Sequence, residues 1–190
     1  MEPSHYMNLG PEQRRELLDL ARASIEQALQ LGELAPYSSG EPVGELKRTG
    51  ASFVTLRTGE DLRGCCGTIE ASRPLARDVW NNAWASAFAD PRFPPLTADE
   101  WRNTHLEISV LTEPERMQVA GEADLLDQLR PGIDGLILQF GAKRTTFLPA
   151  VWEQLPEPAR FVRHLKQKAG WPADFWPADM QVWRYTTESF

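Results

Sequence analysis

The stretch Leu62-Arg63-Gly64-Cys65-Cys66-Gly67-Thr68 constrains this chain more than any other. It follows an apolar, β-branched run, Phe53-Val54-Thr55-Leu56, across the polar turn Thr58-Gly59-Glu60-Asp61. The spacing predicts a hairpin over residues 51–69, with the glycine-cysteine stretch as its second strand. Glycine in a strand weakens the ladder and leaves nothing to pack, which is unfavourable unless something must approach the backbone closely. Here Gly64 and Gly67 flank the chain's only two cysteines, beside an arginine. Neighbouring strand residues point to opposite faces, so a disulfide between Cys65 and Cys66 would be strained. A reduced, cytoplasmic protein is expected.

Around the hairpin the pattern alternates between helix and strand. Pro11-Glu12 starts a helix that carries Leu17, Leu18, Ala21, Ile25, Ala28 and Leu29 at helical spacing and stops at Gly32. Residues 1–10 and 33–50 read as loop. Pro74 opens a second helix, halted by the proline-stiffened Asp90-Pro91-Arg92-Phe93-Pro94-Pro95. Thr97-Ala98-Asp99-Glu100 has the form of a capping box. Residues 105–111 alternate strictly and predict a half-buried strand. A short helix over 124–130 and a buried strand over 135–140 follow. The Gly141-Ala142 turn then leads into residues 145–148. Helical segments over 149–155 and 158–169 and a last strand over 180–185 complete the chain. No regular βαβ repeat emerges, so the expected class is α+β, a mainly antiparallel sheet with flanking helices. At 190 residues the chain fits a single domain, with room for two subdomains.

Hydrophobic content of 42%, with seven Trp and eight Phe, is ample for a packed interior. The net charge of −7 repels a phosphate backbone, which argues against a nucleic-acid groove. No run of 18 apolar residues is present to span a membrane. The start, Met1-Glu2-Pro3-Ser4-His5, lacks the basic and apolar regions of a signal peptide.

Several segments, in order, resemble the AMMECR domain family. They are Phe53–Leu56, Leu62–Thr68, Asp90–Pro95, Glu107–Leu111, Gly132–Leu138, Thr146–Pro149, Val151–Gln154 and Lys168–Gly170. The resemblance runs from about residue 10 to the C-terminus. It implies two lobes around a cleft near the cysteine strand. For bacterial members it also implies a three-component system with a Memo-like protein and a radical S-adenosylmethionine protein. It implies no particular reaction and no cofactor. Three positions depart from the family's usual residues: Cys66 stands for an isoleucine, Thr145 for a glycine and Ala150 for a glutamine. The first marks Cys66 as a core filler.

Arg63 and Cys65 are two apart on a strand, so they should share a face, with Cα atoms roughly 6–7 Å apart. A nearby guanidinium favours thiolate over thiol, making Cys65 the candidate nucleophile or redox thiol and Arg63 its electrostatic partner. The plainer alternative is a buried Cys65 and an Arg63 paired with a carboxylate. None of His5, His105 and His164 stands where it can be assigned to Cys65 as a base. Metal-ligand spacing is absent from the sequence. Candidate ligand-binding residues are Gly64, Gly67 and Thr68 on the strand, Asp90, Arg92 and Phe93 in the stiff loop, and Lys143 and Arg144 beside the Gly141 turn. Two functions follow. One is a small-ligand-binding, thiol-dependent enzyme, toward which the strand motif leans. The other is a non-catalytic assembly module that docks onto the Memo-like or radical S-adenosylmethionine partner.

Overall fold

The computed structural model describes residues 9–37 and 40–190, which divide into two compact units. One comprises residues 9–111 and 188–190, the other residues 112–187. The helices are α1 (Pro11–Leu31), α2 (Leu75–Phe88), α3 (Ala98–Trp101), α4 (Glu122–Gln128) and α5 (Pro158–Lys168). The strands are β1 (Thr49–Gly50), β2 (Ser52–Thr58), β3 (Asp61–Gly67), β4 (Arg73–Pro74), β5 (Thr104–Leu111), β6 (Glu115–Arg116), β7 (Gly135–Phe140), β8 (Lys143–Phe147), β9 (Gln181–Tyr185) and β10 (Thr187–Ser189). The class is α+β, as expected.

In the first unit a four-stranded sheet, ordered β10-β5-β2-β3, carries the predicted hairpin. Both partners of β2 run antiparallel to it. Strand alternation sends Val54, Leu56, Ile108 and Val110 into a core shared with α1 and α2. Helix α1 begins at Pro11, whose missing N–H is no loss in the first turn, and ends at Gly32, where φ of 79° suits glycine. Its buried residues Leu17, Leu20, Ala21, Ser24, Ile25 and Ala28 make one apolar stripe. The polar exception, Ser24, donates from its hydroxyl to the Trp80 carbonyl on α2.

Two expectations shift here. Within 33–50, read as loop, Gly44–Lys47 forms a 3-10 turn, and β1 pairs with β4. Of the stretch 1–10, Leu9 is a core residue at 1% exposure, and His5 lies outside the described residues.

The second unit holds the sheet β6-β9-β7-β8. Strand β7 contributes buried Gly135, Leu136, Ile137 and Leu138, in keeping with its continuous apolar run. Helix α5 adds Phe161, Val162 and Leu165 to this unit's core, and the Trp152 ring stacks on Phe161 at 3.8 Å between centroids. Strand β8 starts at Lys143, so Thr145 sits mid-strand opposite Leu138. Helix α4 begins two residues earlier than its pattern predicts, and the segment after Leu148 is a 3-10 helix, Pro149–Glu153. Among the described residues no helix is long and apolar enough to cross a membrane.

Candidate functional site

Strand β3 lies at an edge of its sheet and contains a bulge. Leu56 pairs with Gly64 and Arg57 with Leu62, which leaves Arg63 as the extra residue. The bulge breaks the two-residue alternation that would set Arg63 beside Cys65. The Arg63 side chain is instead about nine-tenths buried and pairs with Glu100 through two hydrogen bonds, Nε to Oε1 at 3.0 Å and Nη2 to Oε2 at 3.2 Å. Nη2 also donates to the Pro94 carbonyl at 2.9 Å. Nη1 has no acceptor among the described residues, and the guanidinium carbon lies 5.8 Å from the Phe93 ring centre. The carboxylate-paired alternative for Arg63 is therefore the observed one.

Glu100 serves two purposes. It closes the capping box of α3, accepting from the Thr97 N–H at 2.8 Å, and it receives Arg63. The Arg63 guanidinium and the Thr97 donors pull its carboxyl down to about 2.

The cation that does meet the cysteine stretch is Arg92. Its guanidinium donates to the Cys65 carbonyl at 3.2 Å, while Asp90 accepts from the Cys65 N–H at 2.9 Å. The two side chains hold each other through a 2.7 Å ion pair. Asp90 is 3% exposed at its side chain, and the hydrogen bond from Arg92 holds its carboxyl far below the usual range. Arg92 is 54% exposed, and its guanidinium carbon lies 5.5 Å from the Phe93 ring centre. Arg63 and Arg92 thus meet at the Phe93 ring, and Asp90 and Arg92 at the Cys65 main chain.

The Cys65 side chain is half-buried, and the Thr55 hydroxyl on β2 donates to its sulfur at 3.4 Å. Cys66 faces the other way, toward α2, and burial pushes its thiol up. His105 is in register with Arg57, and His164 bonds to the Arg160 carbonyl one helical turn away.

The two glycines answer to the protein itself. A methyl group on Gly64 would overlap the carbonyl oxygen of Ser86, because α2 rests directly on the β3 backbone. One on Gly67 would overlap the Phe53 ring and the Ser52 carbonyl. Thr68 donates from its hydroxyl to Asp78 at 2.8 Å.

Asp78 begins a feature that the sequence reading missed. Asp78, Asn82, Ser86 and Asp90 recur every fourth residue, so they line one side of α2 and its C-terminal extension. Each grips the hairpin. Asp78 accepts from the Ser52 N–H and hydroxyl at 2.9 and 2.8 Å, and Asn82 donates to the Ser52 carbonyl at 3.0 Å. Ser86 accepts from the Cys66 N–H at 2.9 Å, with the Val54 carbonyl 2.7 Å from its hydroxyl. Asp90 takes the Cys65 N–H. Burial pushes the Asp78 carboxyl up, and the Ser52 and Thr68 hydrogen bonds pull it back. The signal was a polar residue recurring at four-residue spacing along α2, alongside buried apolar neighbours such as Val79 and Ala83.

Lys143 and Arg144 belong to the other unit, at the tip of the β7–β8 hairpin. Lys143 reaches the Ala169 carbonyl at 3.4 Å, and the Arg144 guanidinium carbon lies 5.4 Å from the Trp183 ring centre. An open groove of about 450 Å³ lies along α1, lined by Glu12, Arg15, Glu16, Asp19, Leu20 and Ala23. None of the expected site residues lines it.

Comparison with known proteins agrees with this architecture. A protein of Methanothermobacter thermautotrophicus is 35% identical over 187 residues, covering 97% of this chain and 97% of the relative. One of Thermofilum pendens is 33% identical, covering 96% and 91%. The crystal structure of an uncharacterised Pyrococcus horikoshii protein superposes with a TM-score of 0.82 at 33% identity, covering 92% of this chain and 88% of that one. The AMMECR1 family model matches residues 18–190, and with that match and these relatives the chain belongs to the AMMECR1 family.

Proposed function

We propose that this chain is a recognition module. It docks onto a protein partner through the exposed prolines of the 91–95 loop and the neighbouring Cys65 stretch of β3. The candidate partners are the Memo-like and radical S-adenosylmethionine proteins that the family resemblance implies. The observation that carries this reading is the engagement of Arg63 by Glu100 and Pro94, which takes from Cys65 the cation a reactive thiol was expected to use. Asp90 and Arg92 likewise hold the Cys65 main chain. The cluster is arranged to fix the shape of a loop and a strand. A surface already rigid loses little ordering entropy on binding.

The test is capture of the purified Memo-like protein on immobilised chain. Pro91 and Pro95 are exposed, and neither has an N–H to lose. Pro91→Glu and Pro95→Glu should each weaken capture by about tenfold or more, while Cys65→Ala leaves it unchanged. Capture that survives both proline changes and fails with Cys65→Ala would overturn the reading.

A second reading, a small-molecule enzyme working through Cys65, is favoured by the half-buried sulfur that carries a hydroxyl donor at 3.4 Å. It requires Cys65 to be alkylated by iodoacetamide near neutral pH in the folded protein. Cys66, whose thiol is pushed up by burial, should react appreciably only at higher pH. Equal slowness of the two residues would remove this second reading.

A further inference from the structure

An edge strand exposes a row of unpaired main-chain donors and acceptors, and two copies of a protein can pair through such edges unless something intervenes. In the order β10-β5-β2-β3, strand β3 has β2 on one side only. The N–H and C=O of any strand residue point to the same side, and those of Cys65 point away from β2. That outward N–H meets the Asp90 carboxylate at 2.9 Å, and the outward C=O meets the Arg92 guanidinium at 3.2 Å. An acceptor and a donor, ion-paired to each other at 2.7 Å, therefore stand where a neighbouring strand would offer its own C=O and N–H. Arg92 is 54% exposed, so solvent lies on its far side. Two positions before Cys65, the bulge at Arg63 twists the same edge, which is a second obstacle to pairing.

We propose that Asp90 and Arg92 form a strand cap that keeps the β3 edges of two copies of this chain from pairing through Cys65 and Gly67. The cap persists across the physiological range. Asp90 stays ionised, because the Arg92 hydrogen bond favours the carboxylate, and an arginine does not deprotonate there. The neighbouring cation Arg63 does not compete for Asp90, since Glu100 engages it. The cap is independent of what the chain recognises. A strand cap works equally well on an enzyme and on a docking module.

The test compares the full chain with Asp90→Ala/Arg92→Ala, following mass by sedimentation and main-chain exchange at Cys65 and Gly67 by hydrogen–deuterium exchange. In the native protein the Cys65 amide should exchange slowly despite its edge position. In dilute double variant it should exchange roughly tenfold faster or more, as local opening free energy is lost. Raising the concentration should then produce a larger species, absent from the native chain, in which the Cys65 amide regains protection and the Gly67 amide acquires it. Asp90→Glu/Arg92→Lys, which keeps both hydrogen-bonding types, should behave as the native chain does. If the alanine variant folds poorly, Arg92→Ala alone serves. It frees only the Cys65 carbonyl and should give the same association more weakly. An unchanged mass distribution with an exposed Cys65 amide, or a larger species with no renewed protection, would overturn the proposal.

Discussion

Gly64 shows how much rests on one missing methyl group. The Ser86 carbonyl occupies the space a Cβ would need, and neither strand β3 nor helix α2 can retreat without losing other bonds. Gly64→Ala should therefore destabilise the fold by about 1–3 kcal/mol, the usual range for overpacking, as measured by urea unfolding. The two glycines were legible in the sequence as places of close approach. What approaches them was not, because a ligand and the protein's own helix ask the same thing of a residue. Arg63 was misleading for a different reason. A strand's alternation predicts which side chains share a face, but nothing in the residue types marks the extra residue of a bulge.

At the scale of elements, α2 and the β2–β3 hairpin are joined by polar side chains as well as by their apolar faces. The buried amide of Asn82 satisfies the Ser52 carbonyl and donates to Asp78 at 2.9 Å. Asn82→Ala would leave a carbonyl and a carboxylate each short of a donor in the interior. A loss of about 1–3 kcal/mol in thermal or urea unfolding is expected, with Cys65 and Cys66 amides exchanging faster. Most elements were legible: α1, α2, β2 and β5 follow their hydrophobic period, β7 its continuous apolar run, and β3 the polar turn that precedes it. The short pairs were not. Strands β1, β4 and β6 have two residues each, too few for any period to appear. The pairing of Phe190 with Ile108, which sets β10 beside β5, joins residues distant in the chain.

At the scale of the molecule, four shifted carboxylates shape how stability responds to acid. Glu100 is pulled from its ordinary value near 4.5 to about 2, and Asp90 lies lower still. A depressed carboxyl contributes stability above its unfolded value and loses it as pH falls toward the folded one. Asp78 is shifted the other way by burial, so its protonation opposes that loss as pH falls. Asp124 is lowered as well, by the Ala120 N–H, so three depressed groups against one raised group should make the urea midpoint fall between pH 4.5 and 2. Glu100→Gln should flatten that limb, and Asp78→Asn should steepen only its upper end, above the ordinary carboxyl value of 3.8.

The four-residue rhythm of Asp78, Asn82, Ser86 and Asp90 also limits how this chain can change length. Each added residue advances a helix by about 100°, so one insertion near Ala83 would swing Ser86 and Asp90 off the hairpin while Asp78 and Asn82 kept their grip. Relatives that gain or lose residues should therefore do so in the connections flanking α2, leaving its phase intact.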